Sequence, residues 1–67
     1  MSRSPSSSDK IRILIADDHA LMRVGIRSML EMQRDMTVIG EAEDGQDAID
    51  LTDRLDPDVV VMDLMMP

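Results

Sequence analysis

The sequence predicts an α/β fold: β-α-β-α-β, with three parallel strands in spatial order 2-1-3 and one helix on each face. Three observations lead there. Runs of apolar, mostly β-branched residues alternate with stretches of helical periodicity, and such alternation builds a parallel sheet through right-handed crossovers. Two of the runs, 11–16 and 59–62, are almost continuously apolar, as strands covered on both faces are. The remaining run, 36–42, carries Thr37 and Glu41, and a more polar strand belongs at an edge.

Each element has its own justification. Residues 1–10 are Ser-rich and hold almost nothing apolar, so burial cannot offset the entropy of ordering and the stretch reads as a disordered tail. The first strand, 11–16, is broken only by Arg12 near its start, where the side chain can reach water. Asp17 and Asp18 close it, and one of them is placed to cap the helix that follows. That helix is expected over 20–32. Met22, Ile26, Met29 and Leu30 share a face, Leu21 and Val24 widen the stripe, and Arg23, Arg27 and Glu31 point elsewhere. The methionines of this stripe read as core filling. Gly25 costs roughly 1 kcal/mol against Ala in a helix, and close packing on the sheet is one reason to find it there.

The second strand, 36–42, centres on Val38 and Ile39. A turn at Glu43-Asp44-Gly45 leads to a short helix over 46–55, with Ala48, Leu51, Thr52 and Leu55 on one face and Ile49 beside them. Asp56-Pro57-Asp58 ends it, because the residue before a proline is pushed out of helical geometry. The third strand is 59–62. It reads as a central strand, yet nothing in the 67 residues follows to cover it. Its outer edge is expected to be bare and apolar, which invites pairing with another chain. The expectation is a piece of a larger domain, or a chain that completes its sheet by self-association.

Composition narrows the function classes. A chain of 67 residues is at most one small domain, and its core alone stabilises it only marginally. There is no Cys and no aromatic residue, so no disulfide or thiolate zinc site reinforces it. The formal charge of −7 argues against a nucleic-acid-binding surface on this segment. No apolar run approaches the roughly 18 residues of a membrane span, and no hydrophobic signal core is present. The expected location is the cytoplasm.

With strand order 2-1-3, the crevice of an open α/β sheet lies at the carboxyl ends of strands one and three. Asp17, Asp18 and Asp63 surround it. Three carboxylates in one crevice repel each other, and a divalent cation removes that cost. An all-oxygen set suits Mg²⁺, which points to phosphoryl chemistry. A carboxylate can also be the nucleophile and form an aspartyl phosphate. Asp63 stands alone at its strand end and is the candidate acceptor, with Asp17 and Asp18 holding the ion. From spacing alone a second reading stands beside this one: Asp-Asp as a helix cap and Asp63 as a turn former.

Three motifs together resemble the receiver domain of bacterial two-component response regulators. They are Ile13-Leu14-Ile15-Ala16-Asp17-Asp18-His19, Gly40-Glu41-Ala42-Glu43-Asp44-Gly45 and Pro57-Asp58-Val59-Val60-Val61-Met62-Asp63-Leu64-Met65-Met66-Pro67. Asp-Asp-His with Arg23-x-Gly25-Ile26 resembles the NarL/FixJ (LuxR-type) branch. The resemblance covers about residues 11–67. It implies a partial flavodoxin-like (receiver) fold and a phosphorelay module rather than an enzyme. It makes Asp63 the phospho-acceptor for a partner histidine kinase. Mg²⁺ would be bound directly by Asp18, mostly through water by Asp17, and by Asp63 and the Met65 carbonyl. His19 resembles a branch marker with no chemistry of its own. The parent protein would be a transcriptional regulator, touching DNA through a domain outside this segment.

The family has five strands, and its switch Ser/Thr and phosphoryl-pairing Lys fall on the two that this sequence lacks. The chain by itself is therefore expected to accept phosphate poorly or not at all. Two enzyme-like readings rank lower. A haloacid-dehalogenase-type phosphatase needs a second Asp two residues after the nucleophile, where Met65 stands. Gly25, Gly40 and Gly45 form no loop that would cradle a nucleotide phosphate.

Overall fold

The computed structural model describes residues 10–63. The elements are β1 (Ile11–Asp17), α1 (Ala20–Glu31), β2 (Met36–Ala42), α2 (Gly45–Leu55) and β3 (Val59–Asp63). The strands form one parallel sheet in the order β2-β1-β3. The expected architecture is present, with element ends within a residue of expectation. The expected tail at 1–10 lies outside the described residues except for Lys10, which is exposed and irregular.

The side-chain period of two puts alternate residues of β1 on opposite faces. Ile13 and Ile15 form one core cluster with Val38, and Ile26 and Leu30 of α1 pack against it. Ala16, on the other face, clusters with Ala42 and Ala48, backed by Leu51 and Val60. Each helix therefore covers one face. Leu14, Ile15 and Ala16 are completely buried, as a central strand requires.

A bulge refines this picture. The register runs Ile13↔Val38 and then Leu14↔Gly40, so Ile39 is extra on β2. The inserted residue resets the alternation, so Gly40 faces α2. A Cβ there would lie 2.9 Å from Leu55 Cδ1 and 3.2 Å from Leu14 Cδ1. Glycine at position 40 lets the end of α2 close onto the sheet.

Several expectations need correction. The apolar stripe of α1 is narrower than its sequence suggests: Leu21 is 88 % exposed and Met29 69 %, and Met22 and Val24 are exposed too. A sheet of three short strands is too narrow to cover them. On α2, Ile49 and Thr52 are likewise exposed. Gly25 has open space where a side chain would go, so close packing does not account for it.

Arg12 does not simply reach water. Its guanidinium donates to the carbonyls of Asp56 and Leu55 at 2.8 and 2.6 Å. It satisfies the open carbonyl end of α2, where Asp56 takes a left-handed conformation. The other end of α2 is capped by Asp44, whose side chain accepts from the Asp47 N–H at 2.8 Å.

Among the described residues β3 is attached on one side. It pairs with β1 from Ile13↔Val59 to Asp17↔Asp63. Its outer side is bare among the described residues, as expected, with Val59 and Met62 exposed. Gly45, Ala48, Ile49, Val60 and Met62 line an apolar groove of about 390 Å³ between α2 and this strand.

Candidate functional site

The site is built at the carboxyl end of β1. Asp17 is the last residue of the strand and is fully buried. Its Oδ1 accepts from the His19 N–H at 2.7 Å, which turns the chain sharply out of the strand. Its Oδ2 is buried and accepts no hydrogen bond among the described residues. A buried carboxylate oxygen without a donor is costly unless a cation supplies the missing partner.

Asp18 follows, exposed, and His19 is the N-cap of α1. Neither aspartate caps the helix as expected, and His19 makes no side-chain cap either. The chain leaves β1 so abruptly that the helix begins two residues beyond the pair. Its N-terminal end still lies next to the acids and favours their charge.

His19, to which the sequence assigned no chemistry, is part of the cluster. Its Nδ1 lies 2.9 Å from Asp18 Oδ1 and 3.5 Å from Asp17 Oδ1. One ligand atom from each of Asp17, Asp18 and His19 falls within 4.8 Å of the others. The signal was available in the sequence: an imidazole directly after two carboxylates.

Asp63 ends β3 directly opposite Asp17 in the ladder. It is exposed and is not part of the compact group of three. The structure therefore brings the expected three aspartates to one end of adjacent strands, two tightly and the third across the ladder. Met65 lies outside the described residues.

Arg23 was expected to point away from the sheet and does not. Its guanidinium donates to the Asp17 carbonyl at 2.7 Å and pairs with Glu41 at 3.4 Å. Arg27 also reaches Glu41 and pairs with Glu31. The hydrogen bond that Arg27 donates to Glu41, then the one it donates to Glu31, holds its guanidinium above the ordinary pKa. The bulge makes this possible, because it returns Glu41 to the α1 face opposite Ile15. These contacts tie the start of α1 to the ends of β1 and β2, beside the acids.

The donor set fits a hard divalent cation: two adjacent carboxylates, one with an unpartnered buried oxygen, and a third across the strand pair. The family model for the response regulator receiver domain matches residues 13–67. The chain belongs to that family. Relatives of the NarL/FixJ branch are among those it matches. The receiver segment is 51% identical over 61 residues to the transcriptional regulatory protein YxjL of Bacillus subtilis, covering 91% of this chain and 28% of that protein. It is 42% identical over 62 residues to the nitrate/nitrite response regulator NarL of Escherichia coli, covering 92% and 29%. The receiver thus spans less than a third of the curated relatives it matches. Among solved structures it matches the signal receiver domain of a NarL response regulator from Mycobacterium tuberculosis. The TM-score is 0.82 and the identity 39%, over 88% of this chain and 48% of that one.

Proposed function

We propose that this receiver accepts a phosphoryl group on Asp63 from a partner histidine kinase, with Mg²⁺ held by Asp18, Asp17, Asp63 and the Met65 carbonyl. The observation that carries the reading is the Asp17↔Asp63 register. In that register the end of β3 lies beside a buried carboxylate whose Oδ2 lacks a donor among the described residues, which supports the reading. In the transfer, a carboxylate oxygen of Asp63 bonds to phosphorus. The phosphorus–nitrogen bond of the donor phosphohistidine breaks, and its electron pair returns to the imidazole, which takes a proton from solvent. The ion, when bound, neutralises charge on the transferred group. Asp63 suits the acceptor role because it is exposed at the strand end, open to an incoming donor. Asp17 suits the supporting role because it is buried and fixed through both its carbonyl and its Oδ1.

On this reading, residues 11–67 form part of a receiver domain and 1–10 a tail. The parent protein is a cytoplasmic transcription regulator, by likeness to the relatives. No helix among the described residues is long and apolar enough to cross a membrane. The test is intact mass after incubation with Mg²⁺ and a small-molecule acyl phosphate, beside Asp63→Asn. The expected result is a slow gain of one phosphoryl group that the variant loses. A gain that persists in Asp63→Asn contradicts the assignment.

A second reading is favoured by one observation, the bare apolar edge of β3 with Val59 45 % and Met62 58 % exposed. The chain self-associates through this strand. Sedimentation showing a dimer, dissociated by Val59→Lys, is the expected outcome. A monomer at all concentrations contradicts it.

A further inference from the structure

We propose that Asp17, Asp18 and His19 form a site for a nitrogen-accepting divalent transition metal, such as Ni²⁺ or Zn²⁺, with His19 Nδ1 the ligand that sets the preference over Mg²⁺. The proposal rests on the reading above only in placing a cation at the aspartate pair. Two separate observations carry it. Nδ1 faces the pair, 2.9 Å from Asp18 Oδ1 and 3.5 Å from Asp17 Oδ1. Asp17 Oδ2, fully buried, has no hydrogen-bond donor among the described residues.

The two spacings to Nδ1 are those of neighbouring ligands around one ion. Metal–ligand distances of about 2.0–2.2 Å set neighbouring ligands about 3 Å apart in an octahedron and about 3.5 Å apart in a tetrahedron. The backbone fixes the arrangement: the His19 N–H is held by Asp17 Oδ1, and His19 sits in an extended conformation before the helix starts. The imidazole is 58 % exposed, so an ion enters from solvent and keeps water on its remaining positions.

Chemistry then separates the metals. Mg²⁺ takes oxygen ligands and gains little from an imidazole. Ni²⁺ and Zn²⁺ bind imidazole well and stand far up the divalent affinity order. His19 therefore strengthens the second group and leaves the first unchanged.

The experiment is calorimetric titration of the 67-residue chain and of His19→Ala with Ni²⁺ and, separately, Mg²⁺. The expected result is Ni²⁺ binding weakened about tenfold or more in His19→Ala, with Mg²⁺ affinities of the two chains agreeing within about twofold. Equal Ni²⁺ affinities, or no Ni²⁺ binding by either chain, overturn the proposal whatever Mg²⁺ does. Loss of Ni²⁺ binding in the variant, with no Mg²⁺ binding by either chain, upholds the role of His19 and counts against the Mg²⁺ reading instead. A measurement on the unaltered chain guards against misfolding of the variant. His19 is the single histidine, so its ring ¹⁵N signals are unambiguous. Saturation with Zn²⁺ is expected to shift Nδ1 as the bound nitrogen. A shift of Nε2 alone, or none, overturns the proposal.

Discussion

β1 and β3 are written alike, each an apolar run ending on aspartate, and they sit in opposite surroundings. β1 is flanked by strands on both sides and covered by a helix on each face, so Leu14 through Asp17 are completely buried. Among the described residues β3 has one neighbour, and Val59, Met62 and Asp63 are exposed. The pattern of a strand thus reports what it is suited to be packed against, not what is present to pack. The contrast also divides the chemistry. The carboxylate on the buried strand is positioned by hydrogen bonds, while the one on the edge strand is open to a partner.

The difference between the strands shows most strongly when an apolar side chain is cut back on each. Leu14→Ala is expected to cost about 2–5 kcal/mol, enough to unfold a core this small, whereas Val59→Ala is expected to cost under about 1 kcal/mol because little is buried. Urea unfolding measures both. Equal losses would show that β3 is as well covered as β1.

A smaller effect sharpens how β3 is attached. Arg12 on β1 holds the end of α2 through two carbonyls, and its backbone exchanges hydrogen bonds with Asp58 just before β3. Arg12→Leu is expected to cost about 0.5–1.5 kcal/mol. Hydrogen exchange should show β3 amides losing protection before those of β2. Uniform loss along the sheet would break the link. The smallest effect has the opposite sign. With open space at Gly25, Gly25→Ala is expected to stabilise the chain by about 0.5–1 kcal/mol, raising its thermal midpoint. A fall would mean that the glycine serves a contact.

The elements and their order were legible because periodicity reports faces: the runs at 11–16 and 59–62 and the polar 36–42 placed β1 in the centre. The aspartates were legible because strand ends in a 2-1-3 sheet converge. Other features were hidden for physical reasons. Leu21 and Met29 look like core by spacing, but coverage depends on the width of the opposing sheet. The extra residue Ile39 leaves no mark in a run already apolar, yet it turns Glu41 toward Arg23 and Arg27. Arg12 reads as a solvated charge because its carbonyl partners are more than 40 residues away. His19 reads as a helix-start residue until its ring is seen beside the acids.

On the proposed reading, the two aspartate-ended strands make one site from unlike halves. The most direct test is a Mg²⁺ titration of the ¹⁵N-labelled chain, followed at each backbone amide. Asp17, Asp18 and Asp63 are expected to shift together along one saturating curve, while residues at the opposite strand ends, such as Arg12 and Thr37, stay still. Saturation at Asp17 and Asp18 with Asp63 unmoved would contradict it, leaving β3 outside the site.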